Sequence, residues 1–463
     1  GKIDPKARTG FEGAFQTESY RGYDWGNLFK HINLMGGYWM TPVEKEITAS
    51  FKQPDTYWGF WNGSYIDIFN RDTQRWIPWR CLLWGMNSIW YWVPYFGVRP
   101  LSEGDLAFGL YLPDLRPNPV SRPFLDGVQE IKSGPGKLLI TSERRFAPIA
   151  VHYSQPSIHA CTLSNGGFVP TGAGCPTRIY SSWMTTLWSF KEIGLQPQFI
   201  ASEQIEKGEL SNYKMLVLPF SQALTAEESR QIRKFVENGG LVVADVLPAI
   251  RNRHGRLLDK GLLDDLFGIE RIAGREPGEL TDIRLNVMYE QPIRGMLPSV
   301  QIDPAVRVST GKALQMIGDT PVFIEHKIGK GKAVLLNFAG NYTPGSYRSK
   351  QIPSIRTTPR GDLYLDIARA LAAIADVTPE LTVASGNKRL RGIDIVTWKD
   401  GSASYFGFTP NDYCDYAWVL TMPRVMKLHG KLENSGHLYD IRRGRYLGYG
   451  NTFNMELQRG SAA

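Results

Sequence analysis

The stretch whose reading decides the fold is Asp55–Gly97. It opens Asp55-Thr-Tyr57-Trp58-Gly-Phe-Trp61-Asn62-Gly-Ser-Tyr65, continues through a helical run over 71–86, and closes Ser88-Ile-Trp90-Tyr91-Trp92-Val-Pro94-Tyr95-Phe96-Gly97. Two short, aromatic-rich runs of strand character flank one amphipathic helix. That pattern is a β-α-β unit, the building block of parallel sheets and barrels. Both strand ends are crowded with Trp, Tyr and an amide. Flat aromatic faces beside hydrogen-bonding groups suit a sugar ring, whose C–H bonds lie on the aromatic face while its hydroxyls find polar partners. In barrels, sites gather at the C-terminal strand ends. Trp58, Trp61, Asn62, Trp90 and Trp92 are therefore candidate sugar-binding residues, with Trp39 from the preceding strand.

Working outward, residues 1–145 alternate strand and helix. Strands are expected at 8–14, 33–39, 56–65 and 88–97. Helices are expected at 25–31, capped by Asp24, and at 43–51, 71–86 and 122–132. Gly36-Gly37 marks a place where the backbone is closely approached. Four β-α units cannot close an eight-unit barrel. They form half of one or a small open sheet, and the start at Gly1 rather than Met favours the half.

Residues 146–377 read as a second α/β domain of flavodoxin-like layout. Strands fall at 149–153, 198–201, 215–219 and 241–245, a loop at 161–175, helices at 181–193 and 362–375, and a hairpin at 321–338 turning at Gly329-Lys-Gly331. Thr225-x-x-Glu228 is a capping box, and Gly239-Gly240 stops the helix that it opens. Class I amidotransferases share this layout, but their chemistry needs a Cys on a Gly-flanked turn with a His partner. The corresponding strand here ends Leu218-Pro219-Phe220-Ser221-Gln222, without Cys or flanking Gly. The domain is read as structural. Residues 378–463 alternate short runs with Gly and Asp turns, at 392–398, 403–409, 417–421, 437–440 and 446–447. They predict a small antiparallel β-sandwich.

Composition narrows the function classes. The chain has 463 residues, 42% of them hydrophobic and 12% aromatic, which is globular and long enough for several domains. No apolar run approaches the ~20 residues of a membrane span. The net charge is +8, with 53 basic residues spread along the chain rather than interleaved with aromatics as on a nucleic-acid face. Cys81, Cys161, Cys175 and Cys414 have no metal-ligand spacing. Cys161 and Cys175 bracket a Gly-rich loop and pair if the protein is exported; two thiols are the other state. No signal peptide opens the sequence, and exported and cytoplasmic locations both stay open. No cofactor motif or phosphate-cradling loop is present. The expectation is a carbohydrate partner and no metal, nucleic acid or membrane.

With this order in hand, the chain resembles the later part of glycoside hydrolase family 42-type β-galactosidases. The residues carrying the likeness are Gly10-Phe11-Glu12-Gly13 followed by Gly22-Tyr23-Asp24-Trp25, the step from Trp79 to Trp92, the core from Tyr180 to Val246, and His437-Leu-Tyr-Asp-Ile-Arg-Arg-Gly-Arg-Tyr-Leu-Gly448. The resemblance implies the second half of a (β/α)8 barrel, a flavodoxin-like trimerisation domain and a terminal β-sandwich. It implies hydrolysis of β-linked sugars by an acid/base Glu on barrel strand four and a nucleophile Glu on strand seven. Here strand seven ends Trp61-Asn62-Gly63-Ser64, with no Glu, and strand four lies before residue 1. Such hydrolysis takes paired carboxyls, and the local candidates are Glu12 and Asp24. The alternative is a carbohydrate-binding or assembly protein that kept the fold and lost its acids. The resemblance also implies a homotrimer held by the middle domain. The helix bearing Trp183, Met184, Leu187, Trp188 and Phe190 carries more large apolar groups than one sheet face covers, so an exposed apolar patch is expected there.

Overall fold

The computed structural model describes residues 4, 7–14, 23–38, 42–63, 71–94, 109–164, 178–272, 279–340, 359–386, 388–389, 392–410, 424–458 and 462. Its first sheet is four parallel strands in sequence order, β1 (Gly10–Ala14), β2 (Leu34–Tyr38), β3 (Tyr57–Gly63) and β4 (Trp90–Trp92). The helices α1 (Trp25–Leu28), α2 (Pro42–Phe51) and α3 (Arg71–Leu83) make the crossovers. Strand alternation sorts the side chains into two faces. Phe11, Met35, Trp58 and Phe60 share one face, against the helices: Phe11 meets Trp25 edge-on at 5.6 Å, and Arg80 of α3 lies 5.6 Å over the Phe60 ring. Tyr57, Gly59 and Trp61 share the other.

Helix α3 is buried nearly all round from Trp76 to Leu83. One side supports the sheet. The other side places Trp79, Leu82 and Leu83 in a cluster with Val396 and Trp398 of the C-terminal region. Trp76 Nε1 donates to Thr409 Oγ1 at 2.8 Å, fixing the same contact. Pro78 sits inside this helix, where it removes one backbone bond; burial on both sides holds the helix regardless.

The second sheet has seven strands, in the order 312–317, 320–328, 331–336, 241–244, 215–218, 149–153 and 198–201. The last five are mutually parallel and the first two antiparallel. Its alternation feeds two cores: Ile149, Val151, Met215, Val217, Leu241 and Val243 join one, while Ala150, Leu216, Leu218, Val242 and Ala244 join the other. Continuous apolar runs of this kind belong to strands covered on both faces. The capping box is present as read: Glu228 N donates to Thr225 Oγ1 at 3.0 Å, and Thr225 N to Glu228 Oε2 at 2.7 Å. Gly239 follows the helix at φ +114, a left-handed conformation that favours glycine.

Two expectations need correction. Residues 161–164 are helical, in Gln155–Ser164, rather than loop; the rest of that loop, with Cys175, lies outside the described residues. The helix Arg178–Glu192 exposes no apolar patch: Trp183, Leu187 and Trp188 are fully buried. Trp183 stacks on Tyr153 at 5.7 Å and meets Phe199 edge-on at 5.5 Å. The reason is that α2 and the helix Pro359–Ile374 also pack on this helix, a layer the sheet-face argument left out. A long antiparallel hairpin pairs Glu279–Tyr289 with Gln291–Ile302.

The C-terminal strands form two antiparallel sheets. One pairs 388–389, 381–385, 425–440 and 445–458; the other pairs 403–410, 393–400 and Glu143–Arg145. Leu381, Ile395, Phe408, Leu428 and Leu457 fill the space between them. The short runs read at 437–440 and 446–447 are the facing ends of two much longer strands, while that at 417–421 lies outside the described residues.

All three regions meet at one buried charge cluster. Glu46 of α2 accepts from Lys191 Nζ at 2.7 Å and from Arg144 Nη2 at 3.0 Å. Lys191 also pairs with Asp394 at 2.8 Å, and Lys45 Nζ lies 3.6 Å from Glu46 and 3.8 Å from Asp394.

Candidate active site

The C-terminal ends of β3 and β4 bring three tryptophans together. Trp61 pairs in register with Trp90, and Gly63 with Trp92. Trp61 meets Trp90 edge-on at 5.3 Å and Trp92 edge-on at 6.1 Å. Trp92 is 54% exposed at the outer rim. Edge-to-face packing locks the rings relative to one another. Tyr57, which sequence reasoning did not single out, stacks on Trp90 at 6.3 Å from below.

Glycines make room for this cluster. A Cβ on Gly36 would fall 2.2 Å from Trp90 Cζ3, and one on Gly59 would fall 2.9 Å from Trp90 Cε2. The indole therefore lies flat across two neighbouring strands, where no other residue would admit it. Gly36 is the point of close approach that the Gly36-Gly37 pair signals, and what approaches is a ring of the site.

Glu12 stands on the same face. It is the register partner of Gly36, which in turn pairs with Gly59, and register partners in a parallel pair project their side chains alike. Its side chain is exposed. Asp24 does something else: it caps α1, Oδ1 accepting from Asn27 N at 3.2 Å and Oδ2 from Asn27 Nδ2 at 2.6 Å. That is the N-cap role its position suggested.

Trp58 and Asn62 are not part of the group. One residue out of step with Trp61, both point to the helix side and are buried. Asn62 Nδ2 donates to Phe60 O at 3.1 Å. Among the described residues, Asn62 Oδ1 and Trp61 Nε1 are buried without a hydrogen-bond partner. Trp39 lies outside the described residues. No three His, Cys, Asp or Glu side chains converge as metal ligands among the described residues.

A second polar cluster sits at the strand ends of the seven-stranded sheet. His152 Nδ1 is 3.0 Å from Ser221 Oγ, and its Nε2 is 3.0 Å from Glu228 Oε1. Burial opposes ionisation of Glu228, but hydrogen bonding to His152 holds its carboxyl below the usual range. All three side chains are buried, so the cluster ties strand ends to a helix start and offers a substrate no approach. Nearby, burial pushes Asp245 up to about 7, although Ser182 and the Phe220 amide both donate to it.

Comparison with known proteins gives a consistent picture. Residues 180–343 match the β-galactosidase trimerisation domain family. No curated protein matches the sequence. Among solved structures, a GH42 β-galactosidase from G. stearothermophilus superposes with a TM-score of 0.65 at 15% identity, over 99% of this chain and 65% of that one. One from Bacillus circulans sp. alkalophilus gives 0.65 at 13% identity, over 99% and 64%. An exo-carrageenase GH42 from Bacteroides ovatus gives 0.54 at 12%, over 100% and 52%. The resemblance to family 42-type β-galactosidases is borne out along the chain as a shared α/β multidomain fold. The chain spans just under two thirds of the length of the two β-galactosidases. No helix among the described residues is long and apolar enough to cross a membrane.

Proposed function

We propose that the chain is part of a glycoside hydrolase acting on β-linked sugars, similar to a β-galactosidase. In this reading residues 1–145 are the second half of a (β/α)8 barrel. Residues 146–377 are a flavodoxin-like domain that joins three copies, and 378–463 a β-sandwich. The observation that carries the reading is the strand-end cluster of Trp61, Trp90 and Trp92, with Glu12 on the same sheet face. Rings held edge to face offer a rigid stacking surface for a pyranose. Trp61 Nε1, a donor without a partner among the described residues, adds a polar group at the same strand end. Glu12 serves as one of the two carboxyl groups that glycosidic hydrolysis uses. Asp24 stays in its cap and orients α1.

Strand β3 ends Trp61-Asn62-Gly63, with no carboxylate where the resemblance places the nucleophile. That observation favours a second reading, a sugar-binding protein on a hydrolase fold without turnover. One experiment separates them. The intact protein is given p-nitrophenyl β-D-galactoside, and both product release and quenching of tryptophan fluorescence are followed. The hydrolase reading expects release, reduced in Glu12→Gln by roughly 10²–10⁴, the usual worth of a positioned acid or base. Quenching without release establishes the second reading. Release at an unchanged rate in Glu12→Gln returns Glu12 to a surface acid.

A further inference from the structure

The terminal sheet exposes a second group of aromatic rings. In the hairpin of strands 425–440 and 445–458, His437 pairs with Tyr449 and Tyr439 with Tyr446. Directly opposed residues on antiparallel strands share a face, so four rings form one patch. Their contacts are continuous: Tyr439 to Tyr446 at 5.0 Å, Tyr446 to His437 at 5.9 Å, and His437 to Tyr449 at 5.1 Å. Tyr439, Tyr446 and Tyr449 are 63%, 51% and 70% exposed. Single exposed tyrosines are ordinary, but a contiguous patch of rings in water marks a binding surface.

The patch is held ready. The Tyr446 hydroxyl lies 2.9 Å from His437 Nδ1. The turn below is pinned by Arg443, whose Nη1 donates to Asp440 Oδ2 at 2.8 Å and whose Nη2 donates to Glu456 O at 2.9 Å. A ligand that docks here freezes little protein motion, which removes part of the usual cost of binding.

The chemistry of the rings selects the ligand. None of the four carries a carboxylate, an ammonium group or an aliphatic chain. Each has a flat face and a polar tip, a hydroxyl or a ring nitrogen. That combination takes sugar C–H groups on the face and sugar hydroxyls at the edge. The rings lie as two cross-strand pairs, Tyr439 with Tyr446 and His437 with Tyr449, with neighbouring centroids 5.0–5.9 Å apart. We propose that this hairpin is a platform for a neutral polysaccharide, whose pyranose units rest on the patch formed by Tyr439, Tyr446, His437 and Tyr449. The platform would retain a polymer whose end is processed elsewhere. It uses no residue of the strand-end site and needs no turnover.

Native gel electrophoresis of the intact protein through gels containing soluble β-1,4-galactan, mixed-linkage β-glucan or heparin tests the proposal. The expected result is retardation by at least one neutral polymer. Tyr439→Ala and Tyr449→Ala should each weaken it roughly five- to tenfold, the worth of one aromatic stacking contact, and the double variant should abolish it. Tyr439→Phe and Tyr449→Phe keep the ring and should retain most binding. Trp61→Ala with Trp92→Ala should leave retardation unchanged, whatever happens to galactoside turnover. No retardation by either neutral polymer overturns the proposal. So does retardation by heparin alone, persistence in the tyrosine double variant, or loss in the tryptophan double variant alone.

Discussion

Replacing Glu46 by Gln tests what joins the three regions. Three cations, Lys45, Arg144 and Lys191, face two carboxylates, Glu46 and Asp394, and none of the five side chains is more than 10% exposed. The cluster therefore carries one excess positive charge. Glu46→Gln raises that excess to two and leaves Arg144 without its partner at 3.0 Å. Lys191→Met instead balances the charges: Glu46 keeps Arg144, and Lys45 remains 3.6 Å from Glu46 and 3.8 Å from Asp394. Stranding a buried charge by removing one partner costs about 3–5 kcal/mol. At about 2–4 °C per kcal/mol, Glu46→Gln should lower the melting temperature by on the order of 10 °C. Lys191→Met should cost clearly less. The double variant restores the excess to one and should be more stable than Glu46→Gln alone, a coupling expected only of neighbours. The pH response follows from the same geometry. Burial opposes ionisation of Glu46, but Arg144, Lys191 and Lys45 hold its carboxyl far below the ordinary range. A carboxyl depressed in the folded state contributes stability above its unfolded value of about 4.3 and loses it as pH falls. Wild type should therefore lose more stability than Glu46→Gln between pH 5 and pH 3. Thermal scans by tryptophan fluorescence at pH 7 and pH 4 decide the matter. A melting point for Glu46→Gln within 2 °C of wild type, or a larger loss for Lys191→Met, would refute the reasoning.

Three further outcomes are expected. Gly36→Ala puts a Cβ against Trp90 and should cost about 1–3 kcal/mol as an overpacked site, with a shift in tryptophan emission; an unchanged spectrum and melting point would mean that Trp90 does not rest on Gly36. Asp245, raised to about 7 by burial, binds its proton more tightly folded than unfolded, so its contribution is full below about pH 4 and fades as pH rises to about 7. Asp245→Asn should flatten the stability profile between pH 5 and 8, and an identical slope in the variant counts against the shift. Sedimentation of the intact protein at micromolar concentration should show a trimer, which now rests on the trimerisation-domain match at 180–343; a monomer would reject that assembly.

Much of the fold was legible because local chemistry and burial agree. The Thr225–Glu228 box works from four residues alone, and the apolar runs at 149–153, 215–218 and 241–244 are what a sheet covered on both faces requires. The hairpin over 279–302 was missed although Ile283, Leu285, Val287 and Tyr289 alternate with exposed neighbours. Pro292, Gly295 and Pro298 in its second strand read as turn signals, and here a long edge pairing tolerates them. The helix with Trp183 and Trp188 shows the opposite limit. A helix records how many of its faces are apolar but not which partners cover them, and two covering helices come from residues more than a hundred positions away.

At the candidate site the informative residues were the small ones. Counting tryptophans gathered Trp58 with Trp61, Trp90 and Trp92, yet a strand turns its side chains over at every step. Trp58 was bound to face α3 once Trp61 faced the open side. What distinguishes a site ring from a core ring is the surface beneath it. Trp58 is fully buried on the helix side, whereas Trp90 lies on bare backbone at Gly36 and Gly59, as a ring must if one of its sides is to stay available. Two glycines in register on adjacent strands, followed one strand later by an aromatic residue of the same parity, form a pattern readable without coordinates. Glu12, in register with those glycines, is thereby chosen over Asp24, whose position ahead of α1 commits it to the cap.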